Sequence, residues 1–351
     1  MNMTRREFAK SLSAAAAVTG LGGCATAVRP SAPKPDFMWG YLLHFGMNCW
    51  ADCKLERWGR STDPIKISTH EPADRLRVDM EQWNFVTGRM AEIGMNTLVI
   101  DMAEGVRFDS HPELAVKGSW TKDAFRKELD RLRALGLEPI PKLNFSTCHD
   151  TWLKDYGRMV STARYYEVCA DLIKEVSELF DCPRYLHLGY DEENYGNQAQ
   201  YQMVVIRQGE LWWHDFLWFA KTTEAAGMRP WIWSDFYHKH EEEFLRRMPK
   251  SVLQSNWYYA NDFDPKTSKA AQAYLALDKA GFDQVPCGSN WATNENFGLT
   301  VDFCSKNISR EHLKGFLMAP WTRSWNVFRQ KDTEALEQVR AAIRLSDPRR
   351  P

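Results

Sequence analysis

The feature that most constrains the fold of this chain is a regular alternation of short apolar segments and longer segments with helical periodicity. Near-continuous apolar segments such as residues 96–101 are typical of parallel strands that are buried on both faces. We predict eight strands, at residues 38–45, 96–101, 138–144, 185–189, 229–235, 252–257, 284–290 and 315–321. We predict one helix after each strand, at residues 79–93, 122–135, 163–180, 211–226, 241–247, 268–280, 309–313 and 332–346. Gly94 and Gly136 follow two of these helices, where a C-cap glycine is common.

Eight strand–helix units in one run, without internal repeats or a break in composition, predict a single-domain α/β protein with the (βα)8 TIM-barrel fold over residues 37–351. The alternative is a doubly wound sheet, which needs a reversal of strand order, and no glycine-rich phosphate loop follows the first predicted strand. In a TIM barrel the functional residues lie at the C-terminal ends of the strands. The predicted ends carry polar or aromatic residues, namely Asp101, Asn144, Asp191, Glu192, Asp235, Trp257, Asn290 and Trp321.

The N-terminal residues have the pattern of an export signal. Residues 4–10 fit the twin-arginine signal, and the weakly hydrophobic run 11–23 follows as its apolar region. Cys24 ends a segment that resembles a lipobox, which would leave a lipid anchor there, whereas residues 25–27 fit cleavage after an A-x-A site. We therefore predict a signal over residues 1–27, a linker rich in Pro, Ser and Ala over 28–36, and a periplasmic or membrane-anchored lipoprotein.

The charge and hydropathy of the chain argue against some classes of partner. The net charge is -1, so nucleic acid and anionic membrane surfaces are not predicted partners. The body of the chain has no apolar run of about 18 residues, so we predict no membrane-spanning helix. The 15 tryptophans are unusually many; they fit core packing, and also stacking on sugar rings.

The cysteines and histidines do not predict a metal site. Seven cysteines follow Cys24, at positions 49, 53, 148, 169, 182, 287 and 304, and they form no CxxC pair and no zinc spacing. Because seven is odd, at least one thiol does not pair within the chain, although Cys49 and Cys53 are near enough in sequence to bridge. We interpret the His- and Glu-rich residues 238–243 as a solvated loop followed by the first turn of a helix. We expect no metal and no cofactor.

The fourth predicted strand ends in three adjacent acids, within the segment His-Leu-Gly-Tyr-Asp-Glu-Glu at residues 187–193. Adjacent carboxylates raise one another's pKa values, and a raised pKa suits a general acid. Hydrolysis of a glycosidic bond needs such a proton donor and a group that stabilises positive charge at the anomeric carbon. The residue types alone leave a second interpretation open, in which these acids cap the next helix or pair with arginines.

Residues 187–192 resemble the H-x-G-G-D-E motif of the family 20 glycoside hydrolases, the β-N-acetylhexosaminidases, with Tyr190 in place of the second glycine. The resemblance spans about residues 95–325 and continues in chain order at four further segments. They are residues 108–121, residues 141–149, the Trp-Ser-Asp at 233–235 and the Trp-Thr-Arg at 321–323.

This resemblance implies an exo-acting enzyme for β-linked N-acetylhexosamine or a related sugar, with a retaining, substrate-assisted mechanism. Glu192 would protonate the leaving oxygen, and Asp191 would orient and polarise the acetamido group, whose carbonyl oxygen attacks the anomeric carbon. This route is an exception to the scheme with two catalytic carboxylates. Trp233, Trp257 and Trp321 would form the walls of the sugar pocket, and Glu193 is given no role.

The remaining candidates for carbohydrate binding are His149, Asn144, Asp235, Asn290, Trp291 and Arg323. Several of them depart from the family pattern. Asn144 and Lys142 stand where the family has Asp and Glu, and Arg323 stands where it has the Glu that binds sugar hydroxyls. No tyrosine is evident after strand seven, where the family holds the acetamido carbonyl; Asn290 and Trp291 occupy that region. An arginine at position 323 would suit a carboxylated or sulfated sugar through bidentate pairing.

Two alternatives to this interpretation stay open, and the departures support the second. One is a glycosidase with two catalytic carboxylates, in which Glu192 is the acid and Asp235 the nucleophile or base. The other is a catalytically inactive lipoprotein that binds sugars.

Overall fold

Eight parallel strands form the centre of the protein in the computed structural model, which describes residues 33–47 and 49–346. The strands are β1 (Met38–His44), β2 (Thr97–Asp101), β3 (Glu138–Lys142), β4 (Tyr185–His187), β5 (Arg229–Trp233), β6 (Leu253–Ser255), β7 (Cys287–Gly288) and β8 (Gly315–Met318). Their hydrogen-bonded order is β6-β5-β4-β3-β2-β1-β8-β7. Parallel bridges from Gln254 to Gln284 and from Trp257 to Cys287 join β6 to β7 and close the barrel.

One helix follows each strand, so the predicted (βα)8 TIM barrel is confirmed. The helices are α1 (Met80–Glu92), α2 (Lys122–Ala134), α3 (Ala163–Leu179), α4 (Gly209–Ala225), α5 (Glu241–Arg247), α6 (Lys269–Lys279), α7 (Asn296–Asn307) and α8 (Arg329–Ser346). The side chains of Thr121, Thr162 and Ser268 cap α2, α3 and α6 by accepting a backbone N–H of the first turn. Gly94 and Gly136 follow α1 and α2 with φ of 85° and 80°, as predicted for glycines at helix ends.

The loops at the C-terminal ends of the strands contain short regular segments. Pro64–Ser68 is a helix in the loop after β1, and Val106–Arg107 pairs with Trp120–Thr121 in the loop after β2. Short 3₁₀ segments are Ala103–Gly105, Pro112–Leu114, Thr151–Arg158, Asp235–Lys239 and Asn326–Phe328. These loops cover the end of the barrel at which Asp191, Glu192 and Glu193 follow β4.

The helix predicted at residues 309–313 is wrong. The seventh helix lies earlier in the chain, at Asn296–Asn307, and residues 309–313 form a turn and a bridge that lead into β8. Phe297, Val301 and Cys304, spaced by four and three residues, form the buried face of this helix. The backbone turns extended at Ile308, with φ of −96° and ψ of 135°, and ends the helix there.

Both faces of the barrel strands are buried, as predicted for parallel strands. Along β1, Trp39, Tyr41 and Leu43 contact the layer of helices, whereas Met38 and Leu42 lie in the barrel interior. Large aromatic side chains fill much of the outer layer, and several tryptophans are therefore core residues, in accord with the packing interpretation of their number. Those that are fully buried are Trp83, Trp212, Trp213, Trp231 and Trp233.

The seven described cysteines are free thiols, so Cys49 and Cys53 do not bridge. Among the described residues, no helix has both the length and the apolar character needed to cross a lipid bilayer.

In residues 238–243, His238 Nε2 lies 3.0 Å from the Asn256 side-chain oxygen and His240 stacks on Phe236. The predicted signal, the cleavage region around Cys24 and most of the predicted linker lie outside the described residues.

Two buried histidines are expected to make the folded state less stable in acid. Burial lowers the pKa of His187 well below its usual value, and the charge of Lys142 adds to this; burial and the charges of Arg323 and Lys142 do the same for His44. Below about pH 6.5 the unfolded chain therefore takes up protons that the folded protein does not, and the free energy of unfolding decreases as the pH falls, by up to about 1.4 kcal/mol per pH unit for each histidine. Urea unfolding of His187→Gln between pH 5 and 7 should show a shallower pH slope than the wild type. An unchanged slope in His187→Gln would contradict the expectation.

Candidate active site

The turn after β4 places the two predicted catalytic acids. Gly189, Tyr190 and Glu192 all have positive φ, at 70°, 69° and 62°, so the chain leaves the strand by a tight, unusual path. A side chain at position 189 could not fit, because a Cβ there would lie 2.0 Å from the side-chain oxygen of Asn144. That oxygen accepts the backbone N–H of Tyr190 at 3.3 Å, and the Asn144 amide donates to Asp191 Oδ1 at 2.9 Å. Asn144 on the β3 side thus fixes the conformation of Asp191.

The carboxylates of Asp191, Glu192 and Asp235 lie together, beside His149. Asp191 is buried, whereas the Glu192 side chain is 25% exposed and can reach a ligand. The backbone N–H of Glu192 donates to Asp235 Oδ2 at 3.0 Å. His149 Nε2 lies 3.6 Å from Asp191 Oδ2 and 3.5 Å from Glu192 Oε2. The fold thus brings four of the predicted site residues, on three different loops, to one place.

The mutual proximity of these groups shifts their pKa values. Burial, together with the negative charges of Asp191 and Glu192, raises the pKa of Asp235 to about 8. Burial alone lowers the pKa of His149, but the charges of Asp191 and Glu192 outweigh burial and raise this pKa above its usual value. At neutral pH, Asp235 is therefore expected to carry a proton, and His149 is expected to hold positive charge more readily than a free histidine.

The third acid, Glu193, is part of the support of this turn. Arg207 donates to both of its carboxylate oxygens, and the backbone N–H of Thr147 donates to Oε1 at 3.0 Å. The Arg207 guanidinium also lies over the ring of Tyr190, 4.4 Å from its centre. Tyr190 is buried among Trp212, Phe216 and Phe219 of α4. The residue that departs from the family motif therefore faces the helix layer and not the acids.

Aromatic side chains from three strand ends lie near the acids. The ring centres of Trp233 and Trp321 are 5.7 Å apart, and Trp257 stacks on Tyr259 at 5.3 Å. The indole N–H of Trp321 donates to the Tyr259 hydroxyl at 2.9 Å. Burial and Cys287 raise the pKa of Tyr259, and the negative charge of Glu192 adds to this increase. Sequence reasoning missed Tyr259, although its spacing of two residues from Trp257 at the end of β6 is a usable signal.

A basic group of buried side chains lies at the ends of β1, β3 and β8. Lys142 donates to Asp101 Oδ2 at 2.5 Å, and both side chains are at most 1% exposed. Arg323 is buried; its guanidinium donates to the Thr69 carbonyl at 2.7 Å and lies 3.4 Å from His44 Nε2. Burial lowers the pKa of Arg323 to about 10.

The two predicted residues after β7 differ in exposure. Asn290 is buried and its amide donates to the Lys331 carbonyl at 2.9 Å, whereas Trp291 is 66% exposed. The Asn290 side chain thus connects the end of β7 to α8 by a hydrogen bond, and the ring of Trp291 is open to solvent.

Three of these side chains also have the composition of a metal site. His149, Asp191 and Glu192 each offer one ligand atom, and the three atoms lie within 4.8 Å of one another. Asp191 and Glu192 are neighbours in the sequence, but only the fold brings His149, on the loop after β3, to them.

Fold and site together define a TIM-barrel protein with clustered carboxylates and aromatic rings at the C-terminal ends of its strands. The solved structures to which it is similar include glycoside hydrolases. An inactive mutant of the family 20 exo-β-N-acetylglucosaminidase of Vibrio harveyi superposes with a TM-score of 0.56 at 14% identity, over 89% of this chain and 58% of that one. The β-N-acetylhexosaminidase of Bacteroides fragilis gives 0.54 at 14% identity, over 87% and 66%. The family 1 β-glucosidase of Thermotoga maritima gives 0.57 at 10% identity, over 89% and 98%.

At these identities the likeness establishes the fold. The chain spans about three fifths to two thirds of the length of the two hexosaminidase chains. No protein-family model matches the sequence, and no curated protein does.

Proposed function

We propose that the protein is an exported glycoside hydrolase that removes β-linked N-acetylhexosamine, or a closely related sugar, from the end of a glycan. The observation that carries the proposal is the arrangement of Asp191 and Glu192. Both follow β4 in one turn, yet Asn144 fixes the first and the second remains partly exposed. Two adjacent carboxylates in such different environments are suited to two different roles.

In the proposed reaction Glu192 donates a proton to the leaving oxygen as the glycosidic bond breaks. Asp191, fixed through Oδ1, accepts the N–H of the sugar's acetamido group, and the acetamido carbonyl oxygen forms the new bond to the anomeric carbon. Water then attacks the anomeric carbon and gives its proton to Glu192, while the bond between that carbon and the acetamido oxygen breaks, so the acid is regenerated and the configuration is retained. His149 lies beside both carboxylates, and their negative charges raise its pKa.

The aromatic residues supply the remaining parts of the proposed pocket. Trp257 and Trp321 are partly exposed and offer faces on which a sugar ring stacks, whereas Trp233, which the sequence predicts as a third wall, is fully buried and packs against Trp321. The Tyr259 hydroxyl accepts from the Trp321 indole and lies 3.9 Å from Cys287 Sγ, a weak acceptor that a substrate carbonyl can replace. We infer that Tyr259 takes the place of the tyrosine that the family has after strand seven, by donating to the acetamido carbonyl.

The charge state of Asp235 argues against a mechanism with two catalytic carboxylates. Burial and the charges of Asp191 and Glu192 raise the pKa of Asp235 to about 8, so this side chain is expected to be mostly neutral at pH 7, and a neutral carboxyl is a poor nucleophile and a poor base. Its Oδ2 also accepts the backbone N–H of Glu192. Asp235 is better suited to supporting the turn of Glu192 than to attacking the substrate.

A panel of aryl glycosides tests the proposal. We expect hydrolysis of β-N-acetylglucosaminides or β-N-acetylgalactosaminides, no hydrolysis of the β-glucoside, which lacks the acetamido group, and competitive inhibition by an oxazoline-mimicking thiazoline. Equal turnover of the glucoside without thiazoline inhibition would favour the two-carboxylate mechanism. Sugar binding without turnover of any substrate would favour an inactive binding protein.

The same panel tests the role of Arg323. A 6-sulfated N-acetylglucosaminide and a glucuronide should be included beside the neutral sugars. A preference of the enzyme for the charged sugars would support pairing with this guanidinium. Equal turnover of neutral and charged hexosaminides would leave Arg323 with a structural role, in which it holds the Thr69 carbonyl.

A further inference from the structure

We propose that His149, Asp191 and Glu192 form a binding site for a divalent transition-metal ion, of which Zn²⁺ is the best match, and that the bound ion reversibly inhibits the protein. The inhibition rests on the proposed hydrolase function. The cation site itself rests only on the arrangement of the three side chains.

The spacing of the ligand atoms fits an ion between them. His149 Nε2 lies 3.6 Å from Asp191 Oδ2 and 3.5 Å from Glu192 Oε2. These separations exceed the usual 2.7–3.2 Å of an N–H···O hydrogen bond by several tenths of an ångström. Nitrogen and oxygen ligands at roughly 2.0–2.2 Å from a tetrahedral Zn²⁺ are about 3.4 Å apart. The observed gaps therefore agree better with two edges of a coordination tetrahedron than with direct hydrogen bonds.

The surroundings of His149 prepare its nitrogen for this role. The side chain is fully buried, and Nε2 has no hydrogen-bond partner within the described part of the chain. The other ring nitrogen, Nδ1, lies 3.3 Å from the backbone carbonyl of Cys49. That carbonyl accepts the Nδ1 proton, so Nε2 is the nitrogen that faces the carboxylates, and it releases its proton when the ion binds. Metal-binding histidines are commonly oriented by such a contact to the nitrogen that does not bind the metal.

The two carboxylates are arranged in a corresponding way. The Asn144 amide occupies Asp191 Oδ1, so that Oδ2 is the oxygen directed at His149. Glu192 is 25% exposed, which gives an ion a route from solvent. One imidazole and two carboxylates, with a fourth position open, suit Zn²⁺. Ca²⁺ and Mg²⁺ prefer six or more oxygen ligands and fit this set poorly.

An ion at this place blocks the proposed reaction for a simple reason. Bound to the metal, Glu192 has no proton to give to the leaving oxygen, and Asp191 Oδ2 no longer faces the substrate. Removal of the ion by a chelator restores both groups.

Calorimetric titration of the chelator-treated full chain with Zn²⁺ alone tests the site. We expect one equivalent to bind, and diffraction at the zinc absorption edge to place it between the three side chains. His149→Ala and the isosteric Glu192→Gln should each weaken binding by about 10–100-fold or more. Circular dichroism checks that both variants are folded, and two different variants keep the test valid if one of them is not.

The matched control is His111→Ala. His111 also has two acidic neighbours, with Glu113 at 3.1 Å from Nδ1 and Asp171 at 3.2 Å from Nε2. Because these acids contact opposite ring nitrogens, they cannot bind one ion together with a single nitrogen. We expect this variant to bind Zn²⁺ as the wild type does. Loss of binding in His111→Ala, or unchanged binding in both His149→Ala and Glu192→Gln, would overturn the assignment.

Activity measurements separate this proposal from the proposed function. Hydrolysis of an aryl hexosaminide should fall as Zn²⁺ is added and return with EDTA. Hydrolysis with no Zn²⁺ binding would overturn the cation site and leave the hydrolase intact. Zn²⁺ binding at the three residues without hydrolysis of any sugar would leave the site intact and overturn the hydrolase and the inhibition. Stimulation of hydrolysis by Zn²⁺ would overturn the inhibitory role.

Discussion

Replacement of Glu192 by Gln is expected to lower kcat/KM for a β-N-acetylhexosaminide by about 10²–10⁴-fold, which is the range of general acid catalysis. Gln has the shape of Glu but no acidic proton, and the backbone N–H that reaches Asp235 is kept. The loss should depend on the leaving group. It should be largest for a disaccharide, whose leaving alkoxide needs a proton, and smallest for a dinitrophenyl glycoside, whose leaving group does not.

Two further variants make this result specific. Asp191→Asn should lower the rate for all leaving groups alike, because its proposed role is to orient the acetamido group. Glu242→Gln, an exposed acid in the first turn of α5, should leave kcat/KM unchanged. Activity of Glu192→Gln close to that of the wild type on a disaccharide would show that Glu192 is not the general acid.

Replacement of Arg207 by Leu is expected to destabilise the fold by about 3–5 kcal/mol, since removing one partner of a buried ion pair leaves the other charge uncompensated. The guanidinium and the Glu193 carboxylate are 1% and 4% exposed, and Asp215 Oδ2 lies 3.4 Å from the same guanidinium. Arg207 also donates to the Phe145 carbonyl at 2.7 Å. Its loss therefore leaves two buried acids and one carbonyl without this donor.

Chemical unfolding measures the effect, and a surface pair provides the control. Arg164 and Glu167 are 52% and 64% exposed with a separation of 3.3 Å, so Arg164→Leu should lower the free energy of unfolding far less than Arg207→Leu does. The double variant Arg207→Leu/Glu193→Leu should recover part of the lost stability, because one of the isolated charges is then gone. A loss in Arg207→Leu no larger than that in Arg164→Leu would contradict the assigned role.

The order of the secondary structure elements could be predicted because their signals are local. Hydrophobic periodicity and capping residues lie within each segment, and they identified all eight strands. The predicted strands extend past the observed ends: strand four was expected to reach residue 189, but β4 ends at His187. Composition alone does not reveal that Gly189 and Tyr190 have positive φ. The seventh helix also has a local signal, the spacing of Phe297, Val301 and Cys304, which lies before the predicted residues 309–313.

The candidate site could be predicted in its location but not in its contacts. A cluster of acids at the end of a strand is visible in the sequence, and in a TIM barrel that end is where function lies. The roles of Glu193 and Tyr259 were not visible. The sequence predicts no function for Glu193, yet this side chain forms the buried ion pair with Arg207. It also predicts no role for Tyr259, whose hydroxyl accepts from Trp321.

The sequence by itself determined the (βα)8 architecture of this protein and the strand end at which its acids lie, because periodicity and strand ends are properties of neighbouring residues. Only the tertiary structure decided which groups surround those acids. Asn144 and Asp191 are 47 positions apart, and Glu192 and Asp235 are 43 apart. Contacts over such separations arise from barrel closure and from the paths of the loops, and the chemical environment of Asp191 and Glu192 therefore exists only in the folded chain.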